Sequence, residues 1–172
     1  MKDKLNLKSA FMVLPVALAV IALFMIFAPA AVVKNSDTAY SGLKIAFGYS
    51  QSSTIGTTTV STKWFNASAN ILTYVLLIAG VVFAILAARG KFAFSRFAAV
   101  ACLLSAGVLF FCTVAICSPA VSDSIPENMR EEYVRQTKSA LSLGGGAIAG
   151  GVLSLLAAIC AAVPAFVKKL SA

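Results

Sequence analysis

The sequence predicts an all-α membrane protein: a bundle of four transmembrane helices with a small extracytoplasmic β-hairpin in the first outer loop and a helical extension of the fourth span. Two observations predict this fold class. The chain is 60% hydrophobic and only 12% charged, whereas about a quarter of the residues in soluble domains are charged. Four stretches also lack any charged residue, and each exceeds the roughly 20 apolar residues that a bilayer core of about 30 Å requires. These stretches are residues 9–33, 64–88, 97–122 and 139–167.

The 172 residues are predicted to form a single integral membrane domain. We expect spans at about 9–33, 69–88, 97–118 and 139–167, with outer loops at about 34–68 and 119–138. Residues 28–30 read Ala-Pro-Ala, which resembles the cleavage site of a signal peptide. The uncharged run around them is longer than the core of about 7 to 15 residues that is usual in signal peptides. We therefore expect the first span to be retained.

Basic residues are concentrated in three segments that an even number of spans would place on one side of the membrane. The amino terminus, the short loop between the second and third spans and the carboxyl terminus contain a single acidic residue, Asp3. The positive-inside rule then predicts a multi-pass protein of the plasma (cytoplasmic) membrane with both termini cytoplasmic. The lysine-rich termini suggest a bacterial source. The net charge of +8 thus reports orientation and does not predict nucleic-acid binding.

Small residues form stripes on the second and fourth spans. In lipid, such stripes allow two helices to approach closely. Three interpretations stay open: packing within the bundle, association with a second copy, and docking to a larger membrane protein. The predicted helix-packing residues are Gly80, Ala84, Gly146, Ala147, Gly150 and Gly151.

The first outer loop contains two strand-like patterns. Leu43, Ile45 and Phe47 occupy alternate positions, which is the period of a strand with one covered face. Residues 57–65 are rich in β-branched and aromatic side chains, and the polar residues 50–56 are typical of a connection. We therefore expect a β-hairpin. Two strands alone are marginally stable in water, so the hairpin requires another element or a partner.

The second outer loop is predicted to be helical. The spacing of Ser124 and Glu127 is that of a capping box. Good helix formers follow without a breaker before residue 141, so the pattern predicts a helix continuous with the fourth span. Met129 and Tyr133 share one face, where they could pack on the hairpin. The alternative is a frayed, solvated helix.

Asp, Glu, Lys, Arg and His are absent from the four predicted spans, and the chain has no His anywhere. Proton relays, ion-coupled transport and intramembrane metal sites place such groups at membrane depth. The sequence therefore predicts no catalytic residues, no metal and no cofactor. The four cysteines lie in the third and fourth apolar stretches, where a Cys102–Cys160 bridge and free packed thiols are both open.

The overall layout resembles the claudin-like family of four-transmembrane proteins. The shared features are four spans, a β-forming first outer loop and a helical segment in the second. Gly42 and Leu43 match the Gly-Leu of the claudin first-loop signature, whereas Lys44 replaces an aromatic residue and the paired loop cysteines are absent. The resemblance implies a tetraspan fold, and no functional residue is carried over from it.

These features predict a non-enzymatic membrane protein that binds a membrane or extracytoplasmic partner, or that self-assembles through small-residue helix faces. The alternative is a subunit of a transporter or of an oligomeric channel, because one bundle with uncharged spans encloses no aqueous path. The expected partners are the lipid bilayer and a second copy or a larger membrane complex. The candidate partner-binding residues are Leu43, Ile45, Phe47, Tyr49, Met129 and Tyr133. The other interpretation of these residues is that they pack between the hairpin and the helix.

Overall fold

A computed structural model describes residues 2–55, 58–89 and 94–166, and this part of the chain is mostly helical with two small sheets. The helices are α1 (Lys2–Phe24), α2 (Gly42–Phe47), α3 (Ile71–Ala88), α4 (Ser95–Phe111), α5 (Thr113–Ile116), α6 (Glu127–Ser139) and α7 (Gly145–Phe166). A 3-10 turn covers Met25–Phe27. The strands are β1 (Pro29–Val33), β2 (Ala39–Ser41), β3 (Tyr49–Ile55), β4 (Thr58–Phe65) and β5 (Leu141–Leu143).

The four long helices α1, α3, α4 and α7 pack side by side in one bundle. Helix α3 lies against α4, α4 lies against α7, and α1 contacts both α7 and α3. Small side chains let these helices approach closely, and aliphatic side chains fill the remaining space. The buried interior includes Ala19, Leu77, Leu103, Ala106 and Ala157.

Two helices are long and apolar enough to cross a membrane, judged by length and composition: Ile71–Ala88 and Gly145–Pro164. The other two helices of the bundle contribute shorter apolar segments, Val13–Phe27 and Ser95–Phe111. Large apolar side chains are exposed on the outside of all four. Examples are Ile21, Ile78, Val108 and Ile159.

The first and third predicted spans differ from the helices in extent. Helix α1 ends at Phe24, and the segment that begins at Pro29 is a strand. Proline has no backbone N–H to donate to a helix, and the β-branched Val32 and Val33 favour extended backbone. In the third segment, α4 ends at Phe111, and the short helix α5 follows after Cys112.

A three-stranded sheet with the order β2-β1-β5 interrupts the helix that was predicted to extend the fourth span. The prediction of a continuous helix is wrong, because α6 ends at Ser139 and β5 separates it from α7. Strand β5 runs antiparallel to β1, with Ala31 opposite Leu143. The N–H of Gly144 then donates to the Ala30 carbonyl at 2.9 Å. Pairing with β1 therefore outweighs the local helix propensity of this segment.

The β-hairpin of the first outer loop is present, but its first strand is not where the sequence placed it. Strands β3 and β4 pair antiparallel from Tyr49 and Phe65 to Ile55 and Thr58. The alternating segment before them is the helix α2. Leu43 and Phe47 are also spaced by four residues, which places them on one face of a helix. A pattern of only three apolar positions fits the period of a helix as well as that of a strand. The true first strand, β3, is polar and lacks the alternation that marks a half-buried strand.

Two finer predictions about local chemistry are also settled by the structure. The capping box is not formed, because Pro126 occupies the N-cap of α6 and makes no side-chain capping hydrogen bond. Ser124 is instead bonded to Ser122 through its backbone N–H and its hydroxyl. All four cysteines are free, so Cys102 and Cys160 are not bridged.

Candidate functional site

Both outer loops combine into one layer at the same end of the bundle, which we call the outer layer: residues 28–55, 58–70 and 112–144. The β1–β5 pairing is the first connection between the loops. The second lies at the base of the hairpin, where the Asn66 N–H donates to the Ser118 carbonyl and the Ala120 N–H donates to the Trp64 carbonyl, both at 2.9 Å. The sequence contains only weak signals for these two connections between the loops: the Leu-Ser-Leu alternation of β5 and the proline that begins β1.

An aromatic cluster attaches the hairpin to the three-stranded sheet. The ring of Tyr40 in β2 meets the ring of Phe65 edge-on, with centroids 4.9 Å apart. Tyr49 and Trp64 lie near the same ring, at 6.3 and 6.4 Å. Burial, together with the neighbouring Tyr49, raises the pKa of the Tyr40 phenol above its ordinary value. The base of the hairpin is thus supported by its own chain, as a two-stranded element requires.

Helix α2 is held against the bundle by one face and leaves the other uncovered. Ser68 is bonded to this helix twice, by its N–H to the Ala46 carbonyl and by its hydroxyl to the Ile45 carbonyl, both at 2.9 Å. The Ile45 side chain is fully buried, so this candidate partner-binding residue is not available at the surface. Leu43 and Phe47 are exposed by 42% and 55%.

Beyond its base, the hairpin is a polar ribbon. Strands β3 and β4 pair with each other in a sheet of two, and at Phe65 a single bridge joins β4 to Pro119. The Thr54 and Thr59 hydroxyls face each other at 3.4 Å. The side chains of Gln51, Ser52, Ser61 and Thr62 are exposed. Tyr49, the candidate residue at the base, is partly exposed and lies beneath the Lys44 ammonium, which is 4.1 Å from its ring centroid.

Helix α6 has no buried residue along its 13 positions. Met129 and Tyr133 are 56% and 41% exposed, so neither side chain is buried against the hairpin. Glu132 accepts hydrogen bonds from Gln136 and Arg135, both at 3.0 Å, and the Gln136 amide is the main cause of the lowered pKa of this carboxyl group.

The carboxyl end of α6 is tied to the rest of the outer layer. The Lys138 ammonium donates to the Ala115 carbonyl at 2.7 Å, and the Lys34 ammonium donates to the Ser139 carbonyl at 2.6 Å. These contacts hold the helix at its carboxyl end. The helix is therefore positioned by lysine side chains that donate to backbone carbonyls, and none of its own residues is buried.

The predicted helix-packing residues are all buried within the single chain. A Cβ atom at Gly80 would lie 2.8 Å from the Leu103 side chain, and one at Gly150 would lie 2.8 Å from the Phe110 ring. Gly151 approaches Phe111 in the same way, and Gly146 approaches Ala28 and Pro29. Ala84 and Ala147 are 7% and 0% exposed. These six positions therefore offer no small-residue face to a second copy.

Few polar side chains lie inside the bundle. The Ser154 hydroxyl donates to the Gly150 carbonyl of its own helix at 2.8 Å, and the Thr113 hydroxyl donates to the Phe110 carbonyl at 2.7 Å. At the outer end of α3, Asn70 donates to the Thr113 carbonyl, while its own carbonyl oxygen and the Thr73 hydroxyl have no protein partner. Within the described residues, no group of three or more His, Cys, Asp or Glu could hold a metal ion.

A scan against protein-family models found no match, and searches of curated proteins and of solved structures found no similar protein. The functional proposal therefore rests on the geometry of this chain. The outer layer concentrates the exposed apolar and charged side chains that lie outside the bundle, and it is the candidate functional surface.

Proposed function

We propose that this chain is a non-enzymatic four-span membrane protein, with a claudin-like layout, that binds an extracytoplasmic protein through its outer layer. Both termini and the short loop between α3 and α4 would then be cytoplasmic, in agreement with the distribution of basic residues. The bilayer is the first partner in this proposal, and a protein that contacts the ribbon and α6 is the second.

The arrangement of the bundle supports four spans. Helices α1 and α4 complete a ring with the two helices that are long enough to cross a membrane. Val20, Val75, Leu104 and Leu156, one from each helix, are all exposed by more than a third. Large exposed apolar surfaces on a soluble monomer mark interaction sites. A surface of this kind around the whole bundle is the form expected for contact with lipid acyl chains.

The observation that carries partner binding is that α6 buries none of its residues. An isolated helix of about 12 to 15 residues is marginal in water, and most helical stability in proteins comes from packing of one face. The exposed Met129 and Tyr133, four residues apart, form the apolar strip that a partner would cover. The polar ribbon of β3 and β4 adds a second uncovered element in the same layer.

A partner would therefore be recognised by the outer layer and not by the small-residue stripes, because the stripes are used inside the chain. The buried Leu77, Leu103 and Phe110 also fill the middle of the bundle. A role in transport would accordingly require this chain to act as a subunit beside another pore-forming protein.

Photo-crosslinking in the native membrane tests the proposal. A photoreactive amino acid at Tyr133 is expected to form an adduct of discrete mass with one protein, and the same protein is expected to co-purify with the unmodified chain in mild detergent. The matched control places the photoreactive group at Ile78, an exposed residue of α3 that would face lipid in the proposed arrangement. An adduct at both positions would indicate unspecific collisions, and a bare monomer without adducts would contradict the proposal.

A further inference from the structure

A small apolar surface of the outer layer remains exposed directly next to the bundle. It consists of Phe27 in the 3-10 turn together with Leu43 and Phe47 on α2, and we call it the collar patch. Phe27 is 67% exposed, and the two α2 residues are 42% and 55% exposed. Helix α2 packs against the 3-10 turn that contains Phe27. The patch therefore lies where α1 leaves the bundle and the outer layer begins.

The orientation of α2 is set by contacts that leave little freedom. The Gly42 N–H donates to the Ala28 carbonyl at 3.3 Å, and the buried Tyr74 hydroxyl lies against the Gly42 backbone. At the other end, Ser68 bonds to the carbonyl of Ile45 and, through its N–H, to that of Ala46. Because Ile45 on the opposite face and the adjacent Ala46 are both fully buried, Leu43 and Phe47 cannot turn inward without unpacking this helix.

The collar patch continues the apolar surface of the bundle. Phe24, at the end of α1, is 63% exposed and immediately precedes the 3-10 turn. The exposed surface thus runs from the side of α1 through Phe27 to α2. A molecule that covers the exposed apolar side of α1 would therefore cover the patch as well. In the proposed four-span arrangement, that side of α1 is covered by lipid acyl chains.

The charged residues of the segment that contains α2 and the hairpin are basic, and basic side chains suit a position near lipid phosphate groups. No Asp or Glu occurs between Asp37 and Asp123 in the sequence, whereas Lys44 and Lys63 lie in the first outer loop. The Lys44 ammonium is held over the Tyr49 ring, next to the exposed residues of α2. A short helix with apolar residues on one side and a lysine beside them has the composition of an interfacial element. Trp64 is 45% exposed, and the centroid of its ring lies 6.4 Å from that of Tyr40. Tryptophan is enriched at membrane interfaces.

We propose that α2 lies in the interfacial region of the outer leaflet, with the collar patch in contact with lipid and Lys44 near the lipid phosphates. This inference rests on the proposed membrane-spanning arrangement. In this position α2 prevents the outer layer from tilting relative to the membrane, because it is bonded to the segments that enter α3 and leave α1. The ribbon and α6 are then presented to a partner at a constant height.

Spin-label accessibility in liposomes of phosphatidylcholine and phosphatidylglycerol tests this inference on the full chain. Labels are attached at Leu43→Cys and Phe47→Cys in a background that lacks the four native cysteines. Collisions with oxygen, which concentrates in lipid, are compared with collisions with a nickel chelate, which stays in water. Ser52→Cys on the exposed ribbon is the water control, and Ile78→Cys on the outside of α3 is the lipid control.

The expected result is an oxygen-to-nickel ratio at positions 43 and 47 that is several-fold higher than at 52 and lower than at 78. A ratio at 43 and 47 equal to that at 52, with a high ratio at 78, would overturn the interfacial position of α2 and leave the spans intact. A low ratio at 78 would instead contradict the membrane-spanning arrangement itself. Protection of 43 and 47 from both reagents would show that protein covers the collar patch, and this outcome would also overturn the lipid contact.

Discussion

At the scale of single residues, the glycines of α7 differ in what a side chain would meet. A Cβ atom at Gly150 would approach three atoms of the buried Phe110 ring within 3.1 Å, whereas one at Gly145 would meet nothing within 4 Å. Since overpacking a dense core costs about 1–3 kcal/mol, Gly150→Ala is expected to lower the free energy of unfolding by about that amount. Gly145→Ala is the matched control and is expected to change it by less than about 0.5 kcal/mol.

Denaturation of the purified protein in a single detergent, followed by circular dichroism, compares the two variants. Equal stability of Gly150→Ala and the native chain would show that α4 and α7 do not pack at this distance. A loss in Gly145→Ala of the same size would show that the effect belongs to glycine in the helix and not to the contact with Phe110.

Gly42 provides a second prediction at this scale, because it links α2 to the bundle. A Cβ atom at this position would overlap the Tyr74 hydroxyl and would also lie 3.1 Å from the Ile26 carbonyl oxygen. Gly42→Ala is therefore expected to destabilise the outer layer, and Tyr74→Phe is expected to restore part of the loss by removing the nearest atom. A double-mutant cycle should give a coupling of about 0.5–3 kcal/mol. Additive effects of the two substitutions would contradict the contact.

At the scale of elements, the stability of α6 depends on hydrogen bonds between side chains on its own surface. Glu132 bonds to Gln136 and Arg135, and these interactions lower the pKa of its carboxyl group below the ordinary value of 4.5. A group with a lowered folded-state pKa contributes its stability fully above the unfolded pKa and loses it as the pH falls through the folded value. We therefore expect α6 to open more readily as the pH falls below about 4.5.

Hydrogen exchange of the α6 amides, expressed as protection relative to the unstructured peptide rate, measures this opening. Protection should fall on acidification in the native chain and vary less with pH in Glu132→Gln. Glu131→Gln is the control, since Glu131 has no ion pair among the described residues. An identical pH dependence in Glu132→Gln and in the native chain would exclude Glu132 as the cause.

The elements also differ in how well the sequence predicted them. The strand predicted over residues 57–65 is confirmed as β4 from Thr58 to Phe65, because β-branched and aromatic residues dominate this segment, and residue 57 lies outside the described residues. Strand β3 has a polar sequence and is a strand because β4 pairs with it. Helix α2 was predicted as a strand because its short apolar pattern fits two periods, and only the contact of Ile45 with the bundle distinguishes them.

At the scale of the whole molecule, the proposed topology has a direct test. In a cysteine-free background, Ser61→Cys on the ribbon is expected to react with a membrane-impermeant maleimide in intact cells. Lys91→Cys is expected to react only after the membrane is permeabilised. This position is in the short loop whose residues 90–93 lie outside the described structure. Reaction of both positions in intact cells, or of neither, would contradict cytoplasmic termini with an outer ribbon.

The sequence by itself determined the apolar helices, the hairpin strand β4 and the helix α6. Each depends on local composition or on a long periodic run, and such signals need no knowledge of distant residues. The tertiary structure alone decided that β5 separates α6 from α7, that α2 is a helix and that the small residues are used within the chain. The pairing of β5 with β1 joins residues more than a hundred positions apart, and no local pattern encodes such a pairing. The candidate surface follows the same division. Met129 and Tyr133 could be chosen from their spacing, whereas the burial of Ile45 and the exposure of Phe47 required the packed outer layer.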